Sequence, residues 1–445
     1  MLVRTLALTL AATALLVPSG TAPAAATPDH FTPKPGVTFN NPTNPGARRK
    51  IFRRVMRSIN SVPRGENIDI FSWNFMTSAG KDALLRAQRR GVRVRLIMDD
   101  RNVKQVSNPP FRALRSGLKR YNRNHPRKRN SWARLCQGTC RSGGGSAHSK
   151  YFLFSDAGRT KRVVMQGSAN FTEASTNNQW NDIYTHTRNR QVWKFYTNIF
   201  NEAAKDRKVR RPYRDKRVAN FRLIAFPNKG KRTRDPVMQM LNRTNCRGAT
   251  NTASHRTKIQ IAPDVIRQKR GMNLARKLRT MWNNGCNIRI GYTVVGIDIG
   301  RFLRNPAGRG NGVPMKHLVQ DFNCDREFDR YFHMKSMTIR GNYNGDRSGY
   351  ALLNGSANWS GLGKISDENV GIYRSRQRVK RYESHLDYWY ENFPHRRCRS
   401  DSNARSTGGE IDGDRLIFGT DENAVYEDGE SVTDGEVDPF ASMEE

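Results

Sequence analysis

The sequence lacks an apolar run long enough to cross a lipid bilayer. The apolar stretch at residues 6–17 falls well short of the roughly 20 residues that a transmembrane helix needs. It follows Arg4 and precedes the small residues Ala24-Ala25-Ala26, a pattern typical of a secretory signal peptide with its cleavage site. The sequence therefore predicts a signal peptide over residues 1–26 and a soluble, secreted mature protein.

Acidic residues are scarce, at 39 against 78 lysines and arginines, and they are unevenly placed. Residues 401–445 hold 14 of them with 2 arginines, so the net charge of +39 divides into +51 for residues 1–400 and −12 for this tail. Such a surplus indicates a polyanionic partner: nucleic acid, an anionic membrane surface or an anionic wall polymer. The alternative is a generally basic exported protein with solvated arginines. The tail has few apolar residues and no periodicity, so we expect it to be disordered.

Cysteine is limited to six residues. A metal site would need a second close cysteine pair or two histidines at ligand spacing, and the sequence has neither. We therefore expect disulfides, no metal and no cofactor. Proximity suggests a small loop closed by Cys136 and Cys140, and order alone suggests the pairs Cys246–Cys286 and Cys324–Cys398.

One pattern, His-x-Lys followed by Gly-Ser-x-Asn, occurs twice. Its members are His148, Lys150, Gly167, Ser168 and Asn170 in the first copy and His333, Lys335, Gly355, Ser356 and Asn358 in the second. The spacing of His and Lys predicts that both side chains share one face of a strand. An apolar run after each pair predicts a buried strand, and a second run leads Gly-Ser-x-Asn into a turn. Surface histidines and ordinary turns would explain one copy, but not the same five residue types repeated in order.

This pair of motifs resembles the phospholipase D superfamily, whose members carry two such motifs with one active site between them. The resemblance implies an α/β fold of two similar domains, related by a pseudo-twofold axis with the active site between them. The family usually has an Asp seven residues after each His, where this chain has Ser155 and Arg340, and Asp156 comes one residue late. In the family that Asp mainly forms a structural ion pair, so the implied chemistry survives its loss.

The order of predicted elements also repeats. Strand and helix patterns alternate through residues 37–98 and again through residues 221–295, which predicts a mostly parallel sheet flanked by helices in each half. A basic, loop-rich insertion at residues 101–146 precedes the first motif, and a Gly-rich insertion precedes the second. The predicted domains span residues 27–212 and 213–400, with the acidic tail at residues 401–445. The duplication thus covers nearly the whole mature body.

The resemblance implies a phosphodiesterase that works without a metal. One histidine attacks phosphorus to form a phosphohistidine, and the other protonates the leaving group and then deprotonates water or an alcohol. We expect His148 to be the nucleophile. Asp182 and Glu368, which follow the two copies, are predicted to accept a hydrogen bond from the far ring nitrogen of each histidine. The residues expected to contact phosphate oxygens are Lys150, Lys335, Asn170 and Asn358, and Ser168 and Ser356 support the turns or donate to phosphate.

Three functions compete on the sequence. A secreted phospholipase D acting on glycerophospholipids is the leading prediction, because two unequal halves in one chain suit an asymmetric lipid. A secreted, metal-independent nuclease fits the +51 body better, although superfamily nucleases more often build the site from two identical subunits. An inactive binder of anionic polymers comes third, because both His-x-Lys pairs are intact. The chain is expected to act as a monomer on a phospholipid or another phosphodiester.

Overall fold

The computed structural model describes residues 30–125, 130–228, 235–306, 308–320, 322 and 329–394. The predicted signal peptide, the acidic tail and the predicted pair Cys324–Cys398 lie outside the described residues.

The first half forms a seven-stranded sheet flanked by helices. Its strands are β1 (Gly36–Phe39), β2 (Asn67–Phe71), β3 (Phe75–Met76), β4 (Arg93–Asp99), β5 (Trp132–Cys136), β6 (Tyr151–Ala157), β7 (Thr160–Gly167), β8 (Phe171–Thr172) and β9 (Asp182–His186). Its helices are α1 (Pro45–Arg48), α2 (Lys50–Asn60), α3 (Ser78–Arg89), α4 (Arg101–Lys104), α5 (Pro109–Asn124), α6 (Glu173–Asn177) and α7 (Arg190–Ala203). The sheet order is β1-β9-β7-β6-β2-β4-β5, and β3 pairs with β8 separately.

The second half forms a nine-stranded sheet. Its strands, together with short strands outside the sheet, are β10 (Arg214–Val218), β11 (Phe221–Ala225), β12 (Thr244–Asn245), β13 (Lys258–Ala262), β14 (Val265–Ile266), β15 (Asn287–Tyr292), β16 (Val294–Val295), β17 (Met315–His317), β18 (Val319–Gln320), β19 (Arg330–Tyr331), β20 (Ser336–Tyr343), β21 (Asp346–Gly355) and β22 (Asn369–Tyr373). Its helices are α8 (Pro236–Asn242), α9 (Gln268–Asn283), α10 (Ile297–Arg304), α11 (Gly361–Ile365) and α12 (Arg376–Asn392). The order is β10-β11-β22-β21-β20-β13-β15-β17, with β12 beside β20.

The two sheets repeat one topology. Without the additional strands β10 and β12, the second sheet matches the first in strand order and in the direction of every pairing. This correspondence supports the internal duplication that the sequence predicted. The pseudo-twofold axis itself stays a prediction.

Each sheet is mixed, which refines the expectation of a mostly parallel sheet. Parallel pairing within the sheets is confined to β2–β4–β5 and β13–β15–β17, whose strands are joined by helical crossovers. The other neighbours are antiparallel, and in pairs such as β6 and β7 the short turn at Gly158 allows only a hairpin. The α/β class is confirmed. The alternation of strand and helix patterns correctly predicted parallel pairing where it occurs, but it ends at the motif strands, which are antiparallel.

Two segments that were expected to be loop-rich or Gly-rich insertions contain regular structure. Between β4 and the first motif lie α5 and β5, and β5 extends the sheet parallel to β4. Phe111, Leu114 and Leu118 form the buried face of α5. They are outnumbered by arginines and lysines on the other faces, which is why the helical period was missed. In the second half α10 and β17 occupy the corresponding positions.

The two halves share a hydrophobic core. One buried cluster joins Leu153 of β6 and Leu352 of β21 with Tyr196 of α7 and Tyr382 of α12. The first half also has its own cluster, on the face of its sheet covered by α2, α3 and α5, and the second half has another beneath α8, α9 and α10. The shared cluster packs the two sheets into one body and fixes the position of one motif relative to the other.

Two predicted disulfides are confirmed, Cys136–Cys140 and Cys246–Cys286. Such bonds are typical of proteins that fold in an oxidising compartment. Among the described residues, no helix has the combination of length and apolar character that a membrane span requires.

Candidate active site

The sheet ladders bring the two parts of each motif together. His-x-Lys directly precedes β6 or β20, and Gly-Ser-x-Asn begins at the last residue of β7 or β21. Tyr151 lies opposite Gln166, and Met337 lies opposite Leu353, in antiparallel register. The start of one strand therefore lies beside the end of its neighbour, and each complete motif forms where these two strand ends meet.

Main-chain hydrogen bonds join each motif to the opposite half. The amide of His148 donates to the carbonyl oxygen of Asp367 at 3.0 Å, and the amide of His333 donates to that of Trp180 at 3.0 Å. An isolated parallel β-bridge flanks each of these contacts. The two motifs therefore both lie at the boundary between the halves.

Glu368 orients the first histidine across this boundary. Its Oε1 lies 2.8 Å from Nδ1 of His148, and Ser356 donates to its other carboxylate oxygen. On the far side of the ring, Nζ of Lys150 lies 2.8 Å from Nε2. A charged lysine can only donate, so Nε2 accepts and the ring proton resides on Nδ1, where it donates to Glu368. This contact also places His148 and Lys150 on one side of the chain, as predicted.

Asn181, rather than the predicted Asp182, occupies the matching position beside His333. Its Oδ1 lies 2.8 Å from Nδ1 of His333, and Ser168 donates to the same oxygen at 2.8 Å. Asp182 is the next residue and begins β9, so its side chain points to the other side of the chain. The prediction for Asp182 was therefore wrong, whereas that for Glu368 agrees with the geometry.

Asp182 is instead a buried acid of the interface. It accepts hydrogen bonds from Tyr382 at 2.6 Å and from Asn354 at 2.7 Å. Burial raises the pKa of its carboxyl, and these hydrogen bonds offset the increase only in part. Aligning β9 with β22 by their first apolar residues, Ile183 and Val370, would have paired Asn181 with Glu368. Matching the acids instead shifted the alignment by one residue.

Asp264 is a site residue that the sequence analysis missed. It follows β13 and lines the cleft, with its Oδ2 2.8 Å from Nζ of Lys335 and 4.0 Å from Nε2 of His333. No motif marks it, because it reaches the second motif from a turn distant in sequence. The corresponding residue after β2 is Trp73, whose ring centroid lies 5.9 Å from Nζ of Lys150.

The cleft has a volume of about 790 Å³, is open to solvent and has a wall of mixed polar and apolar side chains. The residues that line it include Trp73, Arg101, His148, Asp264, Arg267, Tyr331, Asn358 and Glu368. Asn358 thus lies where the sequence predicted a phosphate contact. Asn170 lines a separate cavity of about 260 Å³ beside α2, and its contact with phosphate stays a prediction.

The two positions where the family usually has Asp are connected in different ways. Ser155 donates to Glu66 at 2.5 Å and accepts from the amide of Asn67 at 2.7 Å, which ties β6 to β2. Arg340 forms a bidentate pair with Glu383 of α12, at 2.8 and 2.9 Å. The second half therefore keeps an ion pair at this position, with the positive charge on the strand.

A known family matches part of the chain. Residues 56–204, which include the first motif, match the family model "Cardiolipin synthase, PLD-like domain". The resemblance to the phospholipase D superfamily is confirmed. No curated protein matches the sequence.

Solved structures share the phospholipase D-like fold. Phosphatidylserine synthase from Haemophilus influenzae Rd KW20 is 12% identical, and the match covers 80% of this chain and 86% of the synthase, with a TM-score of 0.54. Polyphosphate kinase from Porphyromonas gingivalis is 13% identical over 80% of this chain, with a TM-score of 0.51, and this chain spans 50% of that protein. Nuc from Salmonella typhimurium, a phospholipase D family member, is 18% identical over 40% of this chain, with a TM-score of 0.30. The matches to the synthase and the kinase show a common fold and no more.

Proposed function

We propose that this chain is a secreted phosphodiesterase that forms a phosphohistidine at His148 and that its substrate is nucleic acid. The observation that carries the chemistry is the contact of His148 with Glu368 on Nδ1 and with Lys150 on Nε2. The carboxylate keeps the proton on Nδ1, so the lone pair of Nε2 is available to attack phosphorus. The carboxylate also stabilises the positive charge of the ring once Nε2 is phosphorylated.

In the first step, the phosphate displaces Nζ of Lys150 from Nε2, and this lysine then binds a non-bridging oxygen. The lone pair of His148 Nε2 forms the P–N bond while the bond from phosphorus to the leaving oxygen breaks. His333 gives its Nε2 proton to that oxygen, which leaves as an alcohol. Lys335 and Asn358 stabilise the negative charge on the phosphoryl oxygens throughout.

In the second step, water replaces the leaving alcohol. His333, now neutral, takes a proton from the water as its oxygen attacks phosphorus. The P–N bond breaks, its electron pair returns to Nε2 of His148, and the phosphate monoester departs. The side chains of the two motifs thus supply the nucleophile, the proton donor and the positive charge, so we expect activity in the presence of EDTA.

The surface supports nucleic acid rather than a lipid bilayer as the substrate. Tyr388, on α12, is 56% exposed and is the sole large apolar side chain that is exposed within the described ranges. An enzyme that works on a bilayer needs a group of exposed apolar side chains to enter it. A body of charge +51 instead suits the phosphate backbone of a nucleic acid.

The cleft lining supports the same choice. Arg101 and Arg267 lie in the same wall as His148, where they suit phosphates next to the one that is cleaved. Trp73 and Tyr331 add aromatic side chains, and bases stack readily on such rings.

Phospholipid cleavage stays the second candidate. The two histidines have unlike partners, Glu368 and Asn181, and unlike halves suit a substrate with two different ends, as a phospholipid has. A single strand of nucleic acid also has a direction, so this observation does not displace the first candidate.

One experiment separates the candidates. The purified full chain is incubated in EDTA with plasmid DNA, with single-stranded DNA and, separately, with vesicles of phosphatidylcholine and phosphatidylglycerol. We expect cleavage of DNA that is absent in H148A, and little release of headgroup. Headgroup release that depends on His148, without DNA cleavage, would replace the nuclease with the phospholipase. Loss of all activity in EDTA and its return with a divalent cation would overturn the metal-independent mechanism.

A further inference from the structure

The exposed face of α5 carries a row of basic side chains. Arg112, Arg115, Lys119 and Arg123 are all exposed and follow one another at intervals of three and four residues. Such intervals place successive side chains on one face of a helix. The buried apolar residues of α5 occupy the opposite face. From its first to its last member the row extends over about 16 Å of the helix axis.

This row disfavours the helix that carries it. Cations three or four residues apart repel each other, and α5 contains no acidic residue that would offset the repulsion. Asp82 of the neighbouring helix α3 and Asp100, just before α4, pair with Lys81 and Lys104 instead. Within the described ranges, no carboxylate pairs with a member of the row. A ligand with regularly spaced negative charges would relieve the repulsion.

The helix begins beside the cleft. Its N-cap residue is Asn108, and Gln105, three residues earlier, lines the cleft. Arg112 donates from Nη2 to the carbonyl oxygen of Val103 at 3.3 Å. Val103 lies between Gln105 and Arg101, which is another residue of the cleft wall. The first member of the row therefore lies next to the cleft.

From this point α5 runs away from the cleft. Asn122, near its far end, donates to the carbonyl oxygen of Ser131 at 2.7 Å, just before β5 begins. Strand β5 is parallel to β4, and β4 ends at Asp99, which accepts from Arg101 of the cleft wall. The beginning of β5 therefore lies at the end of the sheet remote from the cleft, and the row connects the two ends.

The second half has a different helix in the corresponding position. Helix α10 has 8 residues where α5 has 16. Its first turn holds an exposed acid, Asp298, and its two arginines lie in its last turn. Of the two corresponding helices, α5 alone continues the cleft as a long basic face. A body that is merely basic throughout would not place the charge on one copy.

We propose that the row on α5 is a nucleic-acid-binding surface that holds the part of the strand leaving the cleft. This inference rests on the proposed function. A polynucleotide carries the regularly spaced negative charges that the row lacks as partners, and the length of the row equals the axial rise of about five base pairs. The row lies outside the cleft, so it contributes to the binding of a long substrate and takes no part in the chemistry.

Salt dependence measures the number of phosphate contacts, because each contact releases counterions. We would measure the binding of a fluorescent DNA single strand of about 20 nucleotides to the full chain carrying H148A, at about 0.05 to 0.3 M salt. The test variant, R112Q/R115Q/K119Q, removes three charges of the row. With His148 intact, we would also measure cleavage of this strand and of bis(4-nitrophenyl) phosphate, which is too small to reach the row and whose nitrophenolate leaves without a proton donor.

The matched control, R376Q/K380Q/R381Q, removes the same number of exposed charges from the start of α12. Strand β22 begins next to Glu368 and ends before α12, so these residues lie at the end of that strand remote from the cleft. Both triple variants have the same net charge. A difference between them therefore reports the position of the charges.

We expect the α5 variant to bind the strand at least about tenfold more weakly at 0.05 M salt than the chain with an intact row. The slope of log K against log salt concentration should become shallower by about 2, at about 0.7 for each lost contact with a single strand. The control should keep the original slope. In the active chain, kcat/KM for the strand should fall by the same factor as binding, and kcat/KM for the small diester should stay within about twofold.

An unchanged slope in the α5 variant would overturn the proposal. Equal losses in the two triple variants would overturn it as well, because the charge of the whole body would then account for binding. A similar loss on the small diester would mean that the row acts through the structure of the cleft. Weaker binding to phosphatidylglycerol vesicles, with DNA binding unchanged, would assign the row to a membrane surface instead.

Failure of the proposed function has a separate signature. If the wild type cleaves neither the strand nor the small diester, that function fails, while binding to the H148A chain still tests the row. Melting temperatures of all variants identify any loss of fold.

Discussion

Glu368 lies 2.8 Å from Nδ1 of His148, although the two residues belong to different halves of the chain. The residue before Glu368, Asp367, accepts the hydrogen bond of the His148 amide through its carbonyl oxygen. One short segment of the second half thus fixes both the main chain and the ring of the first histidine. The candidate site forms only when the halves pack together.

Removal of the Glu368 charge tests this contact. E368Q keeps the shape of the side chain and an oxygen that can accept from Nδ1, but it carries no charge and therefore stabilises the phosphorylated ring less. We expect the turnover of a phosphodiester to fall by about 10–100-fold, as is usual for groups that orient a catalytic histidine. E391Q, which alters an exposed acid on α12, should leave turnover unchanged. A turnover in E368Q within twofold of the wild type would show that the contact has no part in catalysis.

The division of roles between the histidines predicts different behaviour for their alanine variants. H148A should form no covalent adduct and should show no turnover. H333A should still form the adduct from a nitrophenyl diester, and should accumulate it because hydrolysis lacks its base. Acid-labile, alkali-stable phosphorus in the denatured protein measures the adduct. H255A, at a histidine remote from the motifs, is the control, and an adduct in H148A would assign the nucleophile to His333 or to another residue.

Much of the site could be predicted from the sequence, because its parts lie next to strands whose apolar runs are visible. His148, Lys150, His333, Lys335 and the Gly-Ser turns all flank such strands. The residues that the sequence analysis missed are those whose positions depend on exact strand ends or on contacts between segments distant in sequence. The choice between Asn181 and Asp182 depended on which residue begins β9, and periodicity places strand ends only to within a few residues. Asp264 reaches the second motif from a separate turn, and no local pattern signals such a contact.

The fold was likewise predicted in part. The repeated order of elements predicted the duplication, and residue spacing and order suggested the two disulfides. The helix α5 was missed because its three buried apolar residues are surrounded by basic ones, so the amphipathic period was weak in the sequence. The direction of strand pairing depends on connection length, and a hairpin within the motif reverses the trend set by the βαβ units before it.

Asp367 predicts a component of stability that is lost as the pH rises. Burial raises the pKa of this carboxyl to about 7, and Arg141 and the amide of Cys140 offset the increase only in part. An unfolded aspartate titrates near 3.8. Between these values the folded protein retains a proton that the unfolded chain loses. The stabilisation is therefore complete below about pH 4 and is lost as the pH rises towards 7.

D367N removes this titration, and its amide oxygen can still accept from Cys140. We expect the melting temperature of D367N, relative to the wild type, to increase steadily between about pH 4 and pH 7 and then to level off. Calorimetry at intervals of one pH unit measures the difference, with the exposed D298N as the control. A difference that does not change with pH would show that Asp367 keeps an ordinary pKa in the folded protein.

The two disulfides should contribute unequally to stability. Cys246–Cys286 closes a segment with a sequence separation of 40, whereas Cys136–Cys140 has a separation of 4. Loop-closure entropy predicts that C246S/C286S lowers the free energy of unfolding by about 4 kcal/mol and that C136S/C140S lowers it by about 2 kcal/mol. Denaturant titration of the two double variants beside the wild type measures both values. A larger cost for the short loop would mean that its contacts, such as the hydrogen bond from the Cys140 amide to Asp367, outweigh chain entropy.

The acidic tail should compete with the substrate. Residues 401–445 carry a net charge of −12 and are joined to a body of +51, so their effective concentration near the basic cleft is high. Coulomb attraction to the body then opposes the binding of an anionic substrate.

Truncation after Ser400 should lower the KM for DNA most strongly at low salt. The effect should decrease as the Debye length falls from about 30 Å at 0.01 M to about 8 Å at 0.15 M. Steady-state kinetics of the full and truncated chains at several salt concentrations measure it, with bis(4-nitrophenyl) phosphate as a small substrate that carries a single negative charge. Equal KM values for DNA at 0.01 M salt would leave the tail with a role in solubility alone.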